Sequence, residues 1–474
     1  MRILKIFLPV LLIFLLLSSN RTTTQTHDQF ILLLSSDALE RNDAFAYVDA
    51  NWQEPFIAIA LEIADLSMDP ATGQRLVELL ESKTGMHFGQ DLNAWYEWLW
   101  NRDQQILPDY GDFKARLYGH VDSRFEAFFK DRTKMASIRL DEVRWAGVVE
   151  EDIPPLRNPK MIRAKDAAYL DDDDIVFGIE LHGDARAYPE RILAWHEMFT
   201  DEIGGIPVVG AYCSLSGSII IYNTKNDETN YDFGISGFLH RSNMLMYDRQ
   251  TMSLWYSLWG KPVIGPLAEK NIALESMSVV TTTWKEWRKR HPDTKVLSNV
   301  TGYFRDYREG VANQDYFSTD ELLFTVPQLD RSLNNKDEIL AIRVPGFEDE
   351  PLAISIQFLQ KHPVYQDRVG NIDFVVLTDK SGGNRVYATG GISFKTYDQK
   401  DKVTDSKGIK WVIYEHKLVS ESGEELFRVP YHRAFWFGWY AAYPKTRLVK
   451  YDPKTVGGNG SCHGPTECAA TESL

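Results

Sequence analysis

Three hydrophobic patterns follow one another along the chain. The first is an unbroken apolar run from Ile6 to Leu17, behind Arg2 and Lys5 and ahead of Ser18, Ser19 and Asn20. A basic start, a short apolar centre and small polar residues read as a secretory signal. The run is shorter than the roughly 20 residues that a membrane-spanning helix needs. We therefore expect residues 1–20 to be a signal peptide, cleaved near Ser19, or an N-terminal anchor, and residues 21–36 to be a linker. From about 37 to 135 the spacing becomes helical: Phe56, Ile57, Ala60, Leu61 and Ile63, then Leu76, Leu79 and Leu80, then Trp95, Trp98 and Leu99. Asp69 and Pro70 read as a cap and first-turn proline, Gly85 as the end of that helix and Asp91 as the next cap. Residues 21–140 are thus expected to form a small α-helical domain serving as spacer or interaction platform. Beyond about 140, strand-like runs and tight turns take over. The four acids Asp171–Asp174 read as a solvated turn before a strand, because calcium loops space their acids.

The strand-rich region carries one pattern twice. Ile179, Leu181 and Gly183 match Ile342, Val344 and Gly346. After an insertion in the second copy, Ala187, Leu193, His196, Asp201, Gly204 and Gly217 match Ala353, Leu359, His362, Asp367, Gly370 and Gly383 or its neighbour Gly382. Trp284, Trp287, Pro292 and Thr294 match Trp436, Trp439, Pro444 and Thr446. Shared core patterning explains apolar matches, but not His, Asp, Gly, Pro and Thr in one order. Each copy reads as strand, short helix, strand, tight turn, strand, further strands and a closing helix. The predicted architecture is an α+β fold with an internally duplicated domain over 150–455. Copy one covers about 170–305 and copy two about 335–450, packed about a pseudo-twofold axis with a cleft expected between them.

Length and charge narrow the function. With 474 residues, two or three domains are expected. A formal net charge of -15 and the lack of a basic run exclude a nucleic-acid partner, which requires a face that neutralises phosphates. There are three cysteines. Cys462 and Cys468 fall in a Gly/Ser/Thr-rich tail at 456–474, where they close a local disulfide or stay free; His463 between them is a weaker metal-binding alternative. That leaves Cys213 as an odd thiol.

Candidate chemistry gathers in the first copy. Pro189 opens a short helix on which Ile192, His196 and Phe199 share a face, as Phe358, His362 and Tyr365 do in the second copy. A histidine on such an apolar face is commonly a core residue. Cys213 ends the following strand, where the second copy has Asp379 and Lys380, so packing is expected to bring it near His196. A thiolate needs a neighbouring base or cation; His196 is the expected base and Glu197 its orienting group. The same trio suits copper or zinc, with His182 or His240 completing a ligand set, though the spacing fits no standard zinc signature. Asp248 and Arg249 read as a structural turn or as part of a polar cleft, and Trp255 and Trp259 as core. A third arrangement, paired carboxylates for glycan hydrolysis, has Glu180, Asp184 and Glu197 as candidates.

The strings LHGDARAYPERIL, AYCSLSG, FGISGFLHRSNMLMYDRQTMSLW and TTWKEWRKRHPDTKVLS resemble the domain of unknown function 3179 family over about 150–450. The resemblance implies export or membrane attachment and carries no activity with it. The family pattern Cys-Pro-Leu-Cys-Gly stands here as Cys213-Ser214-Leu215-Ser216-Gly217, so dithiol chemistry is not available, while a role for Cys213 alone, assisted by the Ser216 hydroxyl, survives. Two functional expectations result. One is a site at Cys213, His196 and Glu197 for thiol chemistry or metal binding. The other is a non-enzymatic binding module of the cell envelope, with an envelope protein as partner. The expected location is extracytoplasmic.

Overall fold

The computed structural model describes residues 26–103, 106–227 and 229–451. The apolar run at 6–17 and the tail with Cys462, His463 and Cys468 lie outside them. No helix among the described residues is long and apolar enough to cross a membrane.

The helical region begins earlier than its pattern indicated. Residues 26–32 are helical, and Phe30 and Leu33 are fully buried, so this stretch belongs to the core and is not a linker. The capping chemistry is as expected. Asp69 accepts from the N–H groups of Ala71 and Thr72 at the start of Pro70–Thr84, which ends on Gly85 in the left-handed region, and Asp91 accepts from the Ala94 N–H. These helices do not close a core alone. Phe125, Phe129 and Tyr118 surround Phe238 with ring centroids 4.8, 4.9 and 4.9 Å away. The helices thereby share one core with the five-stranded antiparallel sheet of Val143–Trp145, Phe233–His240, Asn243–Asp248, Leu254–Tyr256 and Lys261–Ile264. A buried Lys114 joins the two layers, 2.6 Å from Glu62 and donating to the Val143 carbonyl at 2.8 Å.

The duplication is explicit in strand pairing. In the first copy, Val280–Thr283 pairs antiparallel with Ile175–Leu181, which pairs antiparallel with Asp184–Pro189, which pairs parallel with Lys295–Leu297. In the second, Tyr431–Phe435, Glu338–Ile342, Leu352–Ser355 and Arg447–Val449 repeat that order and those directions. A short helix follows the second strand in each copy, Glu190–His196 or Ile356–Lys361, and leads into a three-strand antiparallel run. Even single hydrogen bonds repeat. The Trp287 indole N–H donates to Thr294 Oγ1 (2.9 Å), whose hydroxyl donates to the Ala185 carbonyl (3.1 Å). Trp439, Thr446 and Pro351 do the same at 3.0 and 3.1 Å. The tight turn decides between the two glycines: Gly217 and Gly382 both have positive φ, at 58° and 84°, and Gly383 does not.

The copies touch reciprocally. The Phe435 N–H donates to the Ser216 carbonyl at 2.7 Å, and a Cβ on Gly217 would lie 2.7 Å from the Phe435 ring. From the other side, Ser381 and Thr282 hydroxyls meet at 2.7 Å. Where copy one has Cys213, copy two has Asp379 in a buried ionic network. Arg385 donates to Asp379 (2.8 Å) and to Glu415 (2.7 Å), and Glu415 also meets His291 of copy one at 3.3 Å. If the two tryptophan–threonine pairs are equivalent, Thr294→Val and Thr446→Val should each cost about 1–3 kcal/mol in chemical denaturation, because each leaves a buried indole N–H without a partner. A cost at one site and none at the other would contradict the equivalence.

Candidate functional site

The site residues are distributed by one sheet, formed of Ser276–Met277, Ser218–Asn223, Ile206–Cys213, Met198–Ile203 and Leu156–Arg157. Successive side chains of a strand point to opposite faces. Phe199, Val208, Tyr212, Ile219 and Ile221 join the core under the helix Glu190–His196. Met198, Val209, Ala211, Cys213, Ile220 and Tyr222 join the core shared with the N-terminal helices. Cys213 therefore lies across the sheet from the helix that carries His196, and no hydrogen bond joins the two. The expectation that packing would bring them together fails on strand parity: Tyr212, not Cys213, faces that helix.

Cys213 is 2% exposed. Its thiol donates weakly to the Ser242 carbonyl at 3.9 Å. The Ser216 hydroxyl meets the Ser218 hydroxyl at 3.0 Å. Burial pushes the thiol up to about 11, and the Glu197 carboxyl adds to the rise. Glu197 caps the helix in the left-handed region, φ 53°, and accepts from the Ser214 hydroxyl at 2.5 Å. Burial raises its carboxyl to about 7. Glu197 and Cys213 thus come together near the seam between copies.

His196 is fully buried, and both ring nitrogens are engaged. Nδ1 lies 2.7 Å from the Pro154 carbonyl and Nε2 lies 2.5 Å from the Tyr307 hydroxyl. A carbonyl only accepts, so Nδ1 carries the proton. Burial lowers the imidazole's proton affinity and keeps it neutral, leaving Nε2 to accept from Tyr307. The Tyr307 oxygen then takes the Thr301 hydroxyl proton at 2.7 Å. This chain runs from the buried ring to a cavity of about 290 Å³ between segments 151–160 and 297–303, lined in part by Pro154, Arg157, Lys160, Ser298, Thr301 and Tyr303.

The other candidates are placed apart. His182 sits at a turn with Nδ1 2.9 Å from the Gly204 carbonyl. His240 is buried against Glu142 at 3.2 Å. Asp248 is a buried turn residue accepting from the Thr251 N–H (2.7 Å) and the Trp255 indole (2.8 Å), and Arg249 pairs with Glu151. Glu180 accepts from the Gly183 N–H, and Asp184 pairs with Arg186 at 2.7 Å. Of the acidic run, Asp174 is buried and bonded to Arg191, and the other three are more exposed. Among the described residues, no three His, Cys, Asp or Glu groups are placed to hold a metal ion. Sequence reading missed Lys160, Thr301, Tyr303 and Tyr307. They lie on segments outside the regular pattern, and nothing in their spacing marks them.

Fold and site define an internally duplicated α+β protein with a small cavity beside its first copy. Residues 150–446 match the family model described as a protein of unknown function (DUF3179), and the chain belongs to that family. No curated protein and no solved structure matches it.

Two outcomes follow from these environments. Cys213 should resist iodoacetamide at pH 8 in the folded protein and react once denatured, read by peptide mass mapping; rapid labelling of the native thiol would contradict its burial. For Glu197, the folded value lies above that of the unfolded chain. The folded protein therefore binds the extra proton, and stability falls as pH rises from about 4.5 to about 7. Glu197→Gln should remove on the order of 2 kcal/mol of that fall, measured by urea denaturation at pH 5 and pH 8. An unchanged pH dependence would show that the carboxyl is solvated.

Proposed function

We propose that the protein is a binding module whose ligand occupies the cavity between segments 151–160 and 297–303, with Cys213 serving as a buried packing residue. The observation that carries this reading is the chain Val300–Phe304. Thr301 and Tyr303 line the cavity, while beside them Phe304 is 100% and Val300 69% exposed. Large apolar side chains held in water next to a concave site mark a contact surface. The hydroxyl relay ending on buried His196 gives the cavity wall a fixed orientation, which lowers the ordering cost of binding. The pattern of Ile6–Leu17 supports an extracytoplasmic location for this binding activity.

A thermal-shift screen of small organic molecules tests the reading. A hit should protect the amides of 156–160 and 298–303 from hydrogen exchange, and Tyr303→Ala should weaken it at least about ten-fold, the equivalent of about 1.4 kcal/mol. Hits that protect the Cys213 turn and leave the cavity segments unchanged would overturn it.

A further inference from the structure

The cavity's polar groups restrict what it can hold. Glu151 is compensated by Arg157 (3.0 Å) and Arg249. Arg157 in turn uses its terminal nitrogens on Asp232 (2.6 Å), Glu151 and the Phe233 carbonyl (2.9 Å). Lys160 is exposed and has no carboxylate at ion-pair distance among the described residues, which leaves one uncompensated positive charge on the wall. The hydroxyls divide by direction. Thr301 accepts from the Tyr303 N–H (3.2 Å), and its proton is committed to Tyr307, because Tyr307 must donate to His196. Ser298 accepts from the Val300 N–H at 3.1 Å and keeps its own proton free. The Tyr303 hydroxyl has no partner among the described residues. The free groups are therefore mainly donors, around Lys160 as the lining cation without an ion pair among the described residues, and Pro154, Pro155 and Pro159 supply apolar surface beside them.

We infer that the cavity binds a monocarboxylate carried on an apolar body, with the carboxylate on Lys160 and Ser298 and the body against Tyr303 and the prolines. This rests on the cavity being the ligand site. One cation with neutral donors suits a single negative charge. A phosphate dianion would be left undercompensated, and a cation would meet no free carboxylate pair. The chemistry has two sources, a free organic acid or the C-terminal residue of a peptide with an apolar side chain.

The experiment is isothermal titration of the full chain with straight-chain monocarboxylates of four to ten carbons, with 3-phenylpropionate and its amide, with N-acetyl-glycyl-phenylalanine and its C-terminal amide, and with inorganic phosphate. Acids of at least one source should bind ten-fold or more tighter than their amides, and the tighter source names the ligand. Lys160→Met should remove that preference while amide binding stays within two-fold; Lys160 is exposed and unpaired, so the fold is expected to tolerate it. Ser298→Ala should weaken the acids alone. Amides binding as well as acids, a preference that survives Lys160→Met, or phosphate binding as tightly as the acids would overturn the ligand class and leave the cavity reading standing. No binding by acids and amides alike up to millimolar concentration would overturn the inferred class. In that case, a screen hit that protects 156–160 and 298–303 would show that the cavity reading survives, and the lack of such a hit would count against it.

Discussion

Side-chain alternation across the sheet containing Ile206–Cys213 governs the arrangement of this molecule. Both faces of that sheet are buried, one under the helix Glu190–His196 and one under the N-terminal helices with the Phe233–Ile264 meander. A strand buried on both sides has no freedom of register, because a one-residue slip would exchange two complete cores. The same alternation separates the two residues with the most obvious chemistry. His196 looks outward through Tyr307 and Thr301 to a cavity, while Cys213 looks inward to the seam between copies.

The seam explains the asymmetry between the halves. Each copy presses its tight turn against the other, Ser216 against Phe435 and Ser381 against Thr282. At equivalent points before those turns stand a neutral thiol and a carboxylate. Asp379 is held by buried Arg385, within a network that reaches Arg290 and His291 of the other copy. Cys213 has hydroxyls and the Glu197 carboxyl around it instead. A neutral thiol fits a buried site beside a carboxyl, where a thiolate would be disfavoured by desolvation and by the Glu197 charge. The difference at this position is accounted for by packing between copies.

Much of the fold was legible in the sequence. The duplication, its order of strands and short helices, and the caps at Asp69 and Asp91 rest on local chemistry and on matched residues such as Thr294 and Thr446. That Tyr212 and Cys213 point to opposite faces was also within reach, since strand residues alternate. The apolar strand IPVVGAYC does not reveal from periodicity that both its faces are buried, so alternation alone does not assign Cys213 to a face. The cavity was not legible. Lys160, Thr301 and Tyr307 are far apart in sequence, lie on irregular segments, and acquire meaning through distances such as the 2.5 Å contact between Tyr307 and His196. Phe30 and Leu33 were missed for a related reason: two buried residues in a short helix make too brief a pattern to separate from a linker.

The central claim is that His196 is a neutral, fully engaged residue of the cavity wall, independent of Cys213. Nitrogen-15 NMR of histidine-labelled protein, with the His196 signal assigned by His196→Gln, measures this directly. The ring should be neutral and protonated on Nδ1 at pH 7–8, unchanged by Cys213→Ser and by added zinc. An imidazolium at neutral pH, a proton on Nε2, or a signal that moves with the Cys213 substitution or with zinc would contradict it.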